Sequence, residues 1–505
     1  MKRLLLVLLS LGLVLAFSAS AMAVDVKFSG DFTIGGMYVD KTRLTKDTYS
    51  GDGPSTGFFY QRLRLRTDFV VAPGLSFVTR ADIMSRVWGG KRSTNTDNEP
   101  LVGSGIYTRP GSTYESENIV FDWAYINYVS PIGLFMVGYM DDNAWGTVFG
   151  DSATPAPAIA YVLPIGQFVF IAKYTKGDDN SIHRGSLSMT DARYQHTDYD
   201  QDQYVLAGIY HFKAGEIGLL AKYVRAEDTY VSLGDMGRQD GFDITGLGWA
   251  PYAKLKFGPV SIQTEVNYFH GAINKLQRHD AAGWGINDYG NGLLGSTKDA
   301  DVEIDNLAAY IDVLADFKQF YVGGIVAYVS GDDSDTADKK EGGFLNGGID
   351  FNPTLIMWNF DKTYWQGDTY GFNQSGQNGP MGGSTSGADL AGAKFYQIRA
   401  GVRPTPAWDI MASLAYAVAA ERPGYNAGTK VPKIERFVAN DYGYEADLTA
   451  TYKITSNLSY MLGGGYLWTG DYYKGYNFDS KARVGRGNND VSNNYLLINK
   501  LTLTF

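Results

Sequence analysis

Between residues 58 and 88 the chain alternates two kinds of side chain. Successive side chains of an extended strand point to opposite faces. Over residues 58–71, one face takes Arg62, Arg64, Arg66 and Asp68, and the other takes Leu63, Leu65 and Phe69. Ala72-Pro73-Gly74 supplies a tight turn. The return arm, residues 75–88, repeats the split: Arg80, Asp82 and Arg86 oppose Leu75, Phe77, Ala81, Ile83 and Val87. The pattern predicts a β-hairpin with one charged and one apolar face. A soluble sheet would bury the apolar face in a core; a membrane barrel would turn it to lipid and close the charged face around water.

The same alternation continues to the C-terminus. It predicts strands over residues 24–39, 58–71, 75–88, 118–129, 134–139, 159–163, 167–175, 203–212, 216–226, 243–257, 260–269, 306–317, 320–329, 394–403, 408–418, 442–454, 458–468 and 494–505. Turns of a few residues, including Ser130-Pro131-Ile132-Gly133 and Pro164-Ile165-Gly166, alternate with long polar loops. In residues 260–269, Val260, Ile262, Val266 and Tyr268 oppose Ser261, Gln263, Glu265 and Asn267; in residues 442–454, Tyr444, Leu448 and Tyr452 oppose Glu445, Asp447 and Thr449. Tyr139, Trp408, Tyr416, Tyr452 and Trp468 sit near strand ends, where interfacial aromatic girdles belong. The expectation is an all-β fold, a transmembrane antiparallel up-and-down β-barrel of about 18 strands, with 16 the alternative even count, short periplasmic turns and long external loops.

The start of the chain bears on the compartment. Lys2-Arg3, the uncharged apolar run 4–17 and Ala21-Met22-Ala23 have the order of a secretory signal, with cleavage between Ala23 and Val24. The domain reading is therefore a signal peptide over 1–23 and a barrel over 24–505. Residues 1–23 carry two basic and no acidic residues, so the formal charge of -10 becomes -10 - 2 = -12 after cleavage. That balance argues against nucleic acid as a partner. Cysteine is absent, which excludes disulfides and thiolate metal sites. No later stretch is apolar enough to span a bilayer as a helix. If the chain spans one, it does so as a closed barrel, the other structure that satisfies every backbone polar group in lipid.

The signal, the hairpin meander and the final strand, residues 495–505, together resemble a Gram-negative outer-membrane porin. Leu497, Leu501, Leu503 and Phe505 fit the amphipathic terminal strand of that family, and Asn499 on the same face departs from it. The resemblance implies export through the Sec pathway to the outer membrane and recognition of Leu501, Leu503 and Phe505 by the barrel-assembly machinery. It also implies a homotrimer embedded in outer-membrane lipid and a water-filled channel for ions and small hydrophilic solutes. The expectation is of no cofactor, no metal and no enzymatic activity.

In that family the third external loop folds into the pore. Counting strands places that loop at 141–157, with acids at Asp141, Asp142 and Asp151 and with Trp145 and Phe149 to wedge against the wall. A ladder of Arg62, Arg64, Arg66, Arg80 and Arg86, offset in part by Asp68 and Asp82, would face it. A basic wall opposite an acidic loop sets a transverse field that tunes ion selectivity. Lys173, Lys222, Lys254, Arg399 and Arg403 are further lumen candidates.

Other chemistry is thinly represented. The acidic run 331–338 has oxygen ligands of the kind calcium takes, without EF-hand order, and it opens a long external loop, 331–390, that either plugs the mouth or folds over it. Five histidines are scattered, all but His211 beyond the predicted strands, and neither H-E-x-x-H nor G-x-S-x-G occurs. Two alternatives to a general pore remain: a substrate-specific outer-membrane channel, and a structural barrel that sheathes a partner. The chain holds no C-x-x-C-H, so it attaches no haem covalently.

Overall fold

A computed structural model describes residues 24–42, 44, 54–89, 119–151, 154–179, 200–232, 239–274, 302–333, 336, 339–345, 347–366, 391–422, 424–425, 435–436, 438–474 and 490–505. The signal segment and its Ala23 cleavage residue lie outside the described residues, as do Asp335 and Asp338 of the acidic run.

Eighteen long strands make one antiparallel sheet. They are β1 (Asp25–Val39), β2 (Thr56–Ala72), β3 (Leu75–Val87), β4 (Ile119–Ser130), β5 (Gly133–Asp141) and β6 (Pro155–Ile165). Next come β7 (Phe168–Asp179), β8 (Asp200–Phe212), β9 (Gly215–Ser232), β10 (Gln239–Phe257), β11 (Val260–Asn274) and β12 (Val302–Asp316). The last six are β13 (Phe320–Val329), β14 (Ala393–Val402), β15 (Trp408–Val418), β16 (Asp441–Lys453), β17 (Leu458–Thr469) and β18 (Asn494–Thr504). Each pairs with its neighbours in sequence, and β18 returns beside β1 in a register running from Asp31 with Thr504 to Val39 with Leu496. The sheet has no edge, so no row of strand N–H and C=O groups is left unpaired. The even count is 18, not the alternative of 16.

The outer face is apolar. Leu206 is 68 % exposed and Ile398 67 %, and Phe28, Phe121, Leu448, Leu462 and Leu497 are also exposed. In water such a band would be an aggregation surface; in a bilayer it is the lipid contact. Aromatic pairs rim it at both ends. Trp408 packs on Tyr452 near the turns, and Tyr416 on Tyr444 near the loops, with ring centroids 4.8 and 4.4 Å apart. Trp408 and Tyr416 are eight positions apart on β15. At about 3.3 Å per residue and a tilt of about 40°, the girdles stand about 20 Å apart along the barrel axis, somewhat less than the apolar band of about 25 Å on such barrels.

Several predicted boundaries move. β5 and β6 extend to Asp141 and from Pro155, so the predicted loop 141–157 shortens to 142–154. Pro164 and Ile165 belong to β6, because the turn there is Gly166-Gln167. His270 falls within β11, not beyond it.

Two of the sheet's bulges change which side chains the charged ladder contains. Met84, at φ 51°, inserts a residue into β3 opposite Arg62. Ser85 then turns inward, and Arg86 pairs across the strands with Gln61 on the face opposite Arg62 and Arg64. Arg86 therefore leaves the predicted ladder: the extra residue shifts every later side chain by one face. A second bulge lies in β4, where Arg80 pairs with Trp123 but Ala81 with Phe121. It places Asp122 and Trp123 together on the inner side.

Candidate functional site

The inner wall of β1–β4 carries the charged ladder. Arg64 holds Asp82 through two hydrogen bonds of 2.8 and 2.9 Å and reaches Asp122 at 3.9 Å. Arg80 pairs with Asp122 at 3.0 Å and lies 3.7 Å over the Trp123 ring, and Arg66 pairs with Asp68 at 3.1 Å. Asp31 is the cross-strand partner of Arg64. Four ladder arginines (62, 64, 66, 80) thus meet four carboxylates (31, 68, 82, 122), a formal sum of 4 - 4 = 0. The expected basic wall is a charge-balanced one. Asp122 escapes a sequence reading because strict alternation gives Phe121 and Trp123 one face and Asp122 the other; the bulge overrides it. Arg62 differs from the rest. Its guanidinium sits 6.0 Å from the Tyr364 ring, with its buried Nε unbonded and no carboxylate partner among the described residues.

Two loops fold inward from the opposite rim. The first follows β5. Asp142 anchors its root, taking the Lys173 ammonium at 2.8 Å and the Thr175 hydroxyl at 2.6 Å. Burial pushes the Asp142 carboxyl up, but Lys173, Thr175 and Lys222 outweigh it and hold the carboxyl below its ordinary value. The loop then crosses to the far wall. Trp145 donates to the Ala250 carbonyl at 2.8 Å and meets the Tyr252 ring edge-on. Thr147 donates its backbone N–H and its hydroxyl to Glu265 of β11, both at 2.7 Å. Two glycines permit this approach. A Cβ at Gly146, whose φ is 61°, would stand 2.6 Å from Glu265 Oε2, and one at Gly150 would stand 1.8 Å from Oε1. Phe149 ends fully buried, stacked on Tyr310 of β12 with centroids 5.2 Å apart.

The second loop follows β13. Of its opening acids, Asp332 is engaged within the loop itself. Asp332 forms an ion pair with Lys340 and accepts the Glu341 N–H at 3.1 Å. Burial raises the Asp332 carboxyl against the pull of Lys340. Among the described residues no group of three or more His, Asp or Glu is arranged for a metal. Residues 347–366 run along the inside. Gly348 N–H donates to the Phe149 carbonyl, so the two inward loops join. Phe351 meets Phe149 and Tyr310 edge-on, and Trp358 meets Phe351 the same way at 4.7 Å. The N–H groups of Ile356 and Met357 both donate to Glu445 of β16 at 2.6 Å. The short helix α1 (Phe360–Gln366) then reaches the ladder wall. Trp365 stacks on Tyr60 at 4.2 Å, Tyr364 meets the Ser85 hydroxyl at 3.3 Å, and Asp361 pairs with Lys500 at 2.9 Å.

The predicted loop residues are therefore dispersed in role. Trp145 and Phe149 wedge against β10 and β12; Asp142 pairs with lysines, not with the ladder. Asp141 and Asp151 lie near one another at the loop's two ends, where Asp141 also feels the charges of Arg80 and Lys173. Of the further lumen candidates, Lys173 and Lys222 serve the first loop, Lys254 lies 3.6 Å from Glu216, and Arg399 and Arg403 pair with Asp312 and with Asp316 and Asp409. Leu501, Leu503 and Phe505 lie on the outer face of the C-terminal segment, and Phe505 exchanges backbone hydrogen bonds with Gly30. Glu265, Glu445 and Asp447 are inward acids whose roles as loop anchors the sequence reading missed; its signal was each one's place on the polar face of an alternating strand.

Between the first loop and the inner wall of β7–β12 lies a cavity of about 500 Å³. Val205, Leu220, Val224 and Ile244 line it on one side, Phe344 on another, and Lys173, Lys222 and Asn143 at one end.

Neither a protein-family model nor a curated protein sequence matches the chain. Solved structures do. The chain is similar to OccAB1 of Acinetobacter baumannii, at 11 % identity over 97 % of this chain and 99 % of that one, with a TM-score of 0.48. It is similar to OccK8 (OprE) of Pseudomonas aeruginosa, at 12 % identity over 95 % and 98 %, TM-score 0.47. It is also similar to a BenF-like porin of Pseudomonas fluorescens Pf-5, at 10 % identity over 95 % and 99 %, TM-score 0.46. Likeness at this level carries no argument about solute, and the fold stands on the closed sheet itself.

Proposed function

We propose that the chain is an outer-membrane channel through which ions and small hydrophilic solutes diffuse passively. The observation that carries this reading is the pairing of a lipid-compatible outer face with a charged inner wall, narrowed by two loops bonded to that wall. Residues 1–23 would direct export, the terminal strand ending at Phe505 would be read by the assembly machinery, and three copies would associate in the membrane. Selectivity would come from the inner charges. Since Arg64, Arg66 and Arg80 are each paired with a carboxylate, Arg62 is the ladder cation with most influence on a passing ion. A barrel that sheathes a partner needs an empty bore; residues 347–366 along the inside favour the channel over that alternative. The cavity beside the first loop favours a second reading, a substrate-specific channel, over an unselective pore.

The test is single-channel conductance of the refolded mature chain in a planar bilayer. Stepwise ohmic currents are expected in potassium chloride, and Arg62→Gln should move the reversal potential in a salt gradient toward cations. A correctly folded barrel that passes no current would end the channel reading.

A further inference from the structure

We infer that the cavity between the first inward loop and β7–β12 binds an amphipathic monoanion, its charged head at Lys222 and its apolar body along the wall. The inference rests on the channel reading for its place in transport, though not for its chemistry.

Three observations meet there. The first is composition. Val205, Leu220, Val224, Ile244, Phe269 and Phe344 surround a space of about 500 Å³, within the range of small-molecule sites. An inner barrel wall exposed to water has no need of so continuous an apolar lining. The second is charge. The charged side chains lining the cavity are Lys173, Lys222 and Asp142, a formal sum of +1 + 1 - 1 = +1. Glu265 lies beyond the lining, already holding Thr147 and Asn267. The third is an unfilled donor set. An ammonium carries three donors. Lys173 spends two of its own on Asp142, through the carboxylate and the backbone carbonyl. Lys222 donates to Asn143 Oδ1 at 2.9 Å, while Asp142 Oδ2, at 3.9 Å, is beyond hydrogen-bonding reach. Two Lys222 donors therefore point to no acceptor among the described residues, in a partly apolar setting where an unmet charge is costly.

A carboxylate at Lys222 would supply those acceptors and cancel the residual charge. Its apolar body would displace water from the Val205, Leu220 and Val224 side. A small anion gains the first without the second, and a neutral amide of the same length gains the second without the first. Gly248 gives a steric handle that leaves the charges alone. A Cβ there would meet its nearest neighbours, the Lys222 carbonyl and Phe269, at an ordinary 3.6 Å, so a leucine would extend into the cavity.

Equilibrium dialysis of the refolded, detergent-solubilised chain against hexanoate, acetate, hexanamide and hexylammonium tests this. Saturable binding of one hexanoate per barrel is expected, with acetate and hexanamide at least tenfold weaker and hexylammonium unbound. Lys222→Met and Gly248→Leu should each weaken hexanoate at least tenfold, and Lys222→Arg should retain it, with strand content checked by circular dichroism. Equal binding of hexanoate and hexanamide, hexanoate binding untouched in both Lys222→Met and Gly248→Leu, or no saturable binding to the wild type would overturn the site. Conductance separates this from the channel reading: current without hexanoate binding removes the site alone, and hexanoate binding without current removes the channel alone.

Discussion

Phe149→Ala isolates the junction of the two inward loops. The Phe149 ring is fully buried, stacked on Tyr310 at an interplanar angle of 11° and met edge-on by Phe351 at 5.2 Å. Gly347, at φ 74°, packs its backbone close to the same ring. Truncating a buried Phe typically costs about 3–5 kcal/mol. The strand ladder on both sides stays intact, so the cost falls on loop docking and not on barrel closure. Every 1.4 kcal/mol is tenfold in a population, which raises the undocked fraction by roughly 10² to 4 × 10³-fold. The bonds of Thr147 to Glu265 and of Trp145 to Ala250 remain, so docking should weaken without vanishing. In single-channel recordings the variant should visit higher-conductance levels that the wild type rarely shows, with noisier open current. A folded Phe149→Ala barrel whose conductance and noise match the wild type would mean that this junction does not bound the ion path, and the two-loop account would fail with it.

Glu445→Ala should free the second loop where it crosses β16: Ile356 and Met357 each lose a hydrogen bond to a buried carboxyl group, at about 0.5–1.5 kcal/mol apiece. Amide hydrogen exchange at those two residues should accelerate at least tenfold, and unchanged protection would refute the anchor. The root of the first loop should respond to acid. Asp142 is held below its ordinary value near 3.8, so its pairing with Lys173 contributes in full above that value and is lost as pH falls through the depressed one. The excess noise of Asp142→Asn over the wild type should therefore hold steady from neutral pH to about pH 4 and shrink below it, as the wild-type pairing is lost in turn.

Where backbone and lipid dictate the pattern, the sequence was readable. An outward Leu, Val or Phe at every second position has one solution in a bilayer, and the termini of β1 and β18 follow from an even strand count. Turn chemistry was also readable at Pro73-Gly74, less so at Pro164-Ile165, where an edge-compatible proline sits within β6. Side-chain direction failed where one residue is inserted. Met84 and the Asp122 bulge each exchange faces over several positions, sending Arg86 out of the ladder and Asp122 into it. Neither bulge is marked by glycine, so alternation alone gave no warning. The path of residues 347–366 was illegible for a different reason: it is set by contacts with Glu445, Tyr60 and Phe149, each far away in sequence.

Those contacts change what the interior acids are for. An irregular loop drawn inside a barrel brings backbone N–H groups that no strand can pair. A carboxyl group on an inward strand position offers oxygen acceptors for them. Glu265 takes the N–H and hydroxyl of Thr147; Glu445 takes two consecutive N–H groups, and Asp447 beside it holds the Ser413 hydroxyl. Asp82, Asp122 and Asp68 are likewise committed to arginines. Acids so engaged shape the bore more than they select what passes through it. Arg62 and Lys222 are two inner-wall cations that keep donors without acceptors among the described residues. One stands beside α1 and one beside the first loop, and those two positions are where discrimination between solutes should be concentrated.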